Sequence, residues 1–346
     1  LKSASRAIHA ERLTAQALSG PPLTDPVAVA KRLLAVQGQD PRGFRLAVRV
    51  RTEGLTAADV ERALGEERSL VVTWLNRGTL HLVCSEDYPW LQALTTPPLL
   101  TSSARRLRQE DVGERDAELA LATIQQALSD EGPMTRIQLR ERVNAAGVQT
   151  EGQAMLHLLF LAAVRGVVVR GPTIGKQHAY VLVRDWLGEQ PVIDREQALA
   201  ELSRRYLVGH QPAGDRDLAR WAGLPLRDAR AGLKAISAEL EEGEDGLVRL
   251  AKRGEVEELP PPRLLGAFDP VLLGWTSRGE ILGPHTQLVT RNGIFHPFAM
   301  VEGRAVAKWG WPGGKLRLEP LQRLPARVAR ALEADAVEVG RFLVRN

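Results

Sequence analysis

At 346 residues the chain is too long for one small core, so two to four domains are expected. Hydrophobic and charged fractions of 44% and 25% are those of a globular protein. No run of about 18 apolar residues and no hydrophobic leader core is present, so a cytoplasmic protein with no membrane partner is expected. The single cysteine, Cys84, excludes an internal disulfide and a cysteine-based zinc site. The pI is about 9.4, and 39 of the 46 basic residues are arginines. Residues 239–258 carry eight acids against three bases, whereas residues 281–346 carry ten bases against five acids. A basic C-terminal third favours a polyanionic partner.

One pattern recurs along the chain: helices, a short turn, then a two-stranded hairpin. An apolar helix-spaced segment (Val27, Ala30, Leu33, Leu34) leads to residue 36. Residues 45–51 alternate like a strand but also fit a helix with an arginine face, the reading preferred because a helix before Thr56 completes the unit. Thr56 to Glu66 reads as a helix with Thr56 as N-cap. Strands 70–75 and 79–84 follow, joined by the hairpin turn Asn76-Arg77-Gly78, and Ser85 opens a helix through Leu94. The second copy has a long helix ending at Gly132-Pro133, a helix from Thr135 to Ala146 and another from Thr150 to Arg165. Strands 167–170 and 178–183 then flank a loop carrying Lys176. The third copy has helices 194–208, 215–222 and 225–240, with strands 247–250 and 255–259.

Three helices followed by a hairpin describe a winged helix, a helix-turn-helix variant that enters DNA grooves. The reading is therefore α+β, with three tandem winged-helix domains. Beyond Pro260-Pro261-Pro262 come short strands (281–282, 287–290, 298–301, 305–309, 315–318) and a helix from Pro325 to Arg341, which suggest a small sheet or barrel. The expected domains are 1–113, 114–190, 191–262 and 263–346.

The chemistry concentrates at Val36-Gln37-Gly38-Gln39-Asp40. Two neutral amides two residues apart can hold one water in a fixed orientation but cannot deprotonate it. An enzyme relying on them needs a substrate that is already activated. From spacing alone, the same glutamines also suit helix capping or the bridging of two segments. Asp40 adds a charge for stabilising a cation, or a helix terminator. His81, on the strand after Asn76-Arg77-Gly78, is a further candidate beside an ordinary core role. The seven histidines show no metal-ligand spacing, so neither a metal nor another cofactor is expected. Gly171 to Lys176 is one residue short of a phosphate loop and lacks its hydroxyl. No Gly-x-Ser-x-Gly elbow occurs.

Four segments resemble the AlkZ-type winged-helix DNA glycosylases, bacterial enzymes common in actinomycetes and in some cases encoded beside antibiotic biosynthesis genes. They are Leu34 to Pro41, Thr73 to Val83 (Thr-Trp-Leu-Asn-Arg-Gly-Thr-Leu-His-Leu-Val), Leu264 to Pro270 (Leu-Leu-Gly-Ala-Phe-Asp-Pro) and Arg291 to Phe295 (Arg-Asn-Gly-Ile-Phe). The resemblance implies three winged helices and a small C-terminal β-barrel around a concave DNA-binding channel. Glutamine at both ends of the signature resembles the branch that unhooks bulky interstrand crosslinks, with Gly38 where a larger apolar residue is common. It implies a monofunctional enzyme, active as a monomer on double-stranded DNA carrying N7-alkylated guanine, in repair or in self-resistance to a DNA-alkylating antibiotic. Gln37 and Gln39 would be its catalytic pair.

Phosphate contacts are expected from Arg45, Arg77, Lys176, Arg227, Arg230, Lys234, Arg291, Lys308 and Lys315. The rival reading is a non-catalytic winged-helix regulator that binds DNA by sequence. A nuclease is disfavoured because no acids show metal-binding spacing.

Overall fold

The structure, a computed structural model, describes residues 2–175 and 177–343, so Lys176 lies outside the described residues. The chain forms two compact units: one joins residues 1–60 to 199–346, and the other spans Glu61–Ala198.

In the Glu61–Ala198 unit the first hairpin follows the sequence closely. Leu70–Leu75 pairs antiparallel with Thr79–Cys84 in the register Thr73↔His81 and Leu75↔Thr79. Asn76 (φ 52°) and Gly78 (φ 78°) take the left-handed backbone such a turn demands. The next helix is Tyr88–Thr95 with Asp87 at the N-cap position, two residues later than the expected cap Ser85, whose hydroxyl donates to the Arg68 carbonyl instead. Helices Glu114–Glu131, Arg136–Ala145 and Ala154–Val164 precede the second hairpin. Thr135 and Gln138 close a capping box that starts the middle one. Strand Val168–Ile174 runs through much of the expected loop by means of an irregularity after Arg170, and pairs with Gln177–Leu182. A Val72↔Arg170 pairing joins the two hairpins, and Met134–Thr135 adds an edge.

In the other unit, helices Pro26–Leu33 and Pro41–Arg49 flank the short strand Val36–Gln37, and residues 45–49 are helical as expected. Helices Arg195–His210 (which begins just before this unit), Asp215–Ala222 and Leu226–Ala235 lead to a hairpin of Leu240–Glu242 with Val248–Leu250. The expected partner, 255–259, is not a strand. Gly246 at φ 72° and the Asp245 carboxylate accepting from Leu247 N–H place the tight turn before residue 247. Three of the eight acids of this region are paired: Glu239 binds Arg204 at 2.8 Å, Glu241 binds Arg253 at 2.6 Å and Asp245 binds Arg249 at 2.8 Å.

Four antiparallel strands, ordered 317–320, 304–310, 298–301 and 263–265, form the C-terminal sheet. Arg263–Leu265 was not anticipated, and residues 279–282 and 286–288 are helical turns rather than strands. Apolar runs this short fit one helical turn as well as a strand. Helix Ala326–Leu343 and Leu46 of helix Pro41–Arg49 close the core around Leu264, Ala299, Ala307, Trp309, Leu332 and Val339.

Candidate active site

Local sequence explains the shape of the glutamine motif. Asp25 caps helix Pro26–Leu33, its carboxylate accepting from Ala28 N–H at 2.8 Å. The helix stops because Leu34 takes φ 63°, a strained backbone for a fully buried leucine, costing about 1–3 kcal/mol. The chain then extends through Val36–Gln37 and re-enters a helix at Pro41. Asp40 is the cap: its Oδ1 accepts from the N–H groups of Arg42 (2.8 Å) and Gly43 (3.0 Å). Gly38 is buried and has no positive φ, so the turn itself does not require glycine there.

The two amides meet. Gln37 is 5% exposed, and its Nε2 donates to Gln39 Oε1 at 2.5 Å. Gln39 is exposed. This bond leaves Gln37 Oε1 buried with no partner among the described residues. An orphaned buried acceptor costs about 1–3 kcal/mol. The sequence did not foretell the mutual bond. It ties the two amide planes to each other.

The helix carrying this motif is pinned from behind. Arg49 makes bidentate hydrogen bonds to Asp335, whose Oδ2 also accepts from Leu264 N–H at 2.7 Å. Arg51 binds Asp269 through two bonds of 2.8 and 3.0 Å, and both side chains are fully buried. A Cβ on Gly43 would lie 2.3 Å from the Ala267 carbonyl, so glycine is needed for the close approach of the two backbones. The motifs at 37–43 and 264–270 are thus one structural assembly. Breaking a buried ion pair typically costs about 3–5 kcal/mol.

A second polar group lies in the first hairpin. Thr73, Asn76, Thr79 and His81 come from paired positions and the turn between them. Thr73 Oγ1, Thr79 Oγ1 and both side-chain polar atoms of Asn76 are buried and unmatched among the described residues. His81 is 3% exposed, and its Nδ1 donates to the Thr79 carbonyl at 2.9 Å. Burial chiefly, and the Arg77 charge next, hold its pKa down to about 3, so the ring is neutral near pH 7. The sequence offered His81 but missed the hydroxyls and amide beside it. Cross-strand register was the signal that could have found them.

The expected basic contacts divide by burial. Arg45 is 9% exposed, donates to the Pro41 carbonyl and lies over the Phe44 ring, so it faces inward rather than toward a phosphate. Arg77, Arg227, Arg230, Lys234, Arg291 and Lys315 are exposed, and Lys308 is half-buried. Arg227, Arg230 and Lys234 share one face of helix Leu226–Ala235, although Arg230 also binds Asp215 at 2.7 Å. Arg291 sits in a turn closed by Thr290 N–H donating to the Ile294 carbonyl. Among the described residues, Cys84, Glu86 and Asp87 bring ligand-type atoms within 4.8 Å of one another. Such a group is common without an ion and is no metal assignment. No helix among the described residues is long and apolar enough to cross a membrane.

Comparison with known proteins bears on this geometry. No curated protein matches the chain. The solved structure of Streptomyces sahachiroi DNA glycosylase AlkZ matches with a TM-score of 0.81 at 24% identity, covering 98% of each chain, and so shares the fold. The family model for "DNA glycosylase AlkZ-like" matches residues 30–342, which include both glutamines, the hairpin polar group and the 264–270 segment. The chain belongs to the AlkZ-like DNA glycosylase family.

Proposed function

We propose that the chain hydrolyses the N-glycosidic bond of N7-alkylated guanine in double-stranded DNA, unhooking of bulky interstrand crosslinks included. The observation that carries this reading is the hydrogen-bonded Gln37–Gln39 pair with its buried, unmatched Gln37 Oε1. Alkylation at N7 makes guanine cationic, so it departs with its bonding electrons and leaves an oxocarbenium-like sugar. Water must then reach C1′ in the right orientation. The Gln37–Gln39 pair accepts one hydrogen of that water and turns a lone pair toward C1′, each amide keeping the other from rotating through their shared bond. The proton released as the C1′–O bond forms passes to solvent. Oriented dipoles suffice because the leaving group is already activated. Asp40 is a positioning residue, its Oδ1 committed to the helix cap. His81, neutral at pH 7, is a hydrogen-bonding group rather than a proton donor.

In this reading the three helix-and-hairpin repeats are winged helices, and the C-terminal strands form a barrel-like sheet. The enzyme is a monomer, makes no lysine adduct and leaves an abasic site. It serves DNA repair or self-resistance to a DNA-alkylating antibiotic. Incubation with DNA bearing 7-methylguanine, then alkali and a denaturing gel, tests it. Strand breaks should appear only after alkali. Breaks before alkali would mean lyase activity, and none at all would remove the N7-guanine assignment. A crosslinked duplex run alongside tests unhooking.

A further inference from the structure

Helix Leu99–Gln109 carries three arginines, Arg105, Arg106 and Arg108, and no acid. Its buried side is narrow: Ser103 (0% exposed) and Leu107 (2%), one turn apart, face inward, and the helix packs along Ala154–Val164. At 100° per residue, the outer positions fall into two adjacent stripes. One holds Thr101, Arg105 and Arg108; the other holds Ser102, Arg106 and Gln109. Every one of these side chains bears a hydrogen-bond donor, and all but Ser102 are exposed.

The three guanidiniums have no carboxylate partner among the described residues. Some exposed arginines elsewhere are paired, Arg142 with Glu131 and Arg165 with Glu118, each at 2.7 Å, whereas this helix carries three unpaired guanidiniums within four consecutive positions. Glu110, the acid that follows the helix, is taken up by its neighbours, its Oε2 accepting from Gln153 N–H at 2.8 Å. Asp111 is exposed in the turn beyond. His157, on the helix alongside, is held below its usual pKa by burial and then by the Arg106 charge, with Glu110 opposing.

We propose that this face of helix Leu99–Gln109 binds the phosphate backbone of duplex DNA through Arg105, Arg106 and Arg108. Guanidiniums with no carboxylate to give up bind phosphate without first breaking an ion pair. The flanking hydroxyls and the Gln109 amide add neutral donors of the kind that fix register on a backbone. The inference rests on the DNA-glycosylase reading and adds a contact surface beyond the residues named above.

The test uses the full chain carrying Arg105→Gln, Arg106→Gln and Arg108→Gln together, titrated against an undamaged duplex at several salt concentrations. Each lost phosphate contact should shallow the slope of log K against log salt by about 0.9, so a change of roughly 2–3 is expected, equal for unrelated sequences. Arg142→Gln removes the same charge from a paired arginine and should leave the slope unchanged. If the triple variant unfolds, the three single variants carry the test, each with a loss near 0.9. A wild-type slope in folded variants, or an equal loss in Arg142→Gln, overturns the proposal. It would then leave the face to another partner, such as an acidic protein. Failure of the unmutated chain to bind DNA would instead strike the glycosylase reading itself, so the two failures are separable.

Discussion

At the start of helix Pro41–Arg49, two neutral amides share one hydrogen bond and leave Gln37 Oε1 buried and unmatched. At its far end, Arg49 and then Arg51 find a carboxylate each, and Arg51 adds bonds to the Gln16 and Ala47 carbonyls. One end is saturated with hydrogen bonds; the other is not. A group left unmatched costs stability, so the fold must supply it elsewhere, and the saturated end is where it does so. The first hairpin repeats the lesson, with its Thr73, Asn76 and Thr79 side chains held on a strand pair whose backbone register is regular.

The contrast can be broken at the saturated end first. Asp269→Ala strands Arg51 without its carboxylate in a fully buried site and should cost about 3–5 kcal/mol in urea unfolding. A loss below about 1 kcal/mol would show that the ion pair does not hold the helix. Acid comes next. His81 and His210 are buried with pKa values near 3 in the fold, below their ordinary 6.5, so each contributes stability that is complete above pH 6.5 and lost as pH falls toward 3. Each should give a slope of about 1 kcal/mol per pH unit between pH 6 and 4, and His210→Gln should remove one share. Stability flat across that range would contradict the buried neutral rings.

Smaller effects sharpen the same comparison. Gly43→Ala drives a methyl into the Ala267 carbonyl and should cost about 1–3 kcal/mol by thermal unfolding. Neutral behaviour would mean that the two backbones separate easily. Asp40→Ala removes a cap and should cost about 1 kcal/mol, while Asp40→Asn should lose less, since an amide oxygen also caps. If Asp40→Asn instead abolished excision with stability intact, the carboxylate charge would belong to the chemistry rather than to the cap.

What the sequence made legible follows the range of the forces involved. The first hairpin and its turn were readable because Asn76 and Gly78 encode a left-handed backbone locally. The glutamine pair was readable as a chemical oddity, whereas the role of Asp40 as the N-cap of helix Pro41–Arg49 was not. The inward turn of Arg45 and the pairing of Arg49 with Asp335, 286 residues away, were not readable, because the partner is set by tertiary packing. The third hairpin was misplaced by one strand, since Glu244-Asp245-Gly246 sits inside an acidic run that hid its turn character. Charge count misled in the same way: arginines on a helix look alike in sequence whether they staple the core or face solvent.

In the proposed reaction Gln37 and Gln39 orient water rather than hold DNA. Single-turnover excision of 7-methylguanine, measured with DNA affinity on Gln37→Ala, Gln39→Ala and the double variant, tests it most directly. Loss of one oriented dipole at a charge-developing centre costs about 10²–10³ in rate, and the lower end is expected here because the leaving group is cationic. Because Gln39 acts through the 2.5 Å bond to Gln37, the double variant should lose far less than the sum of the single losses, with affinity nearly unchanged throughout. Collapsed affinity with an intact rate on bound DNA would contradict the account and return the pair to a structural or passive DNA-contact role.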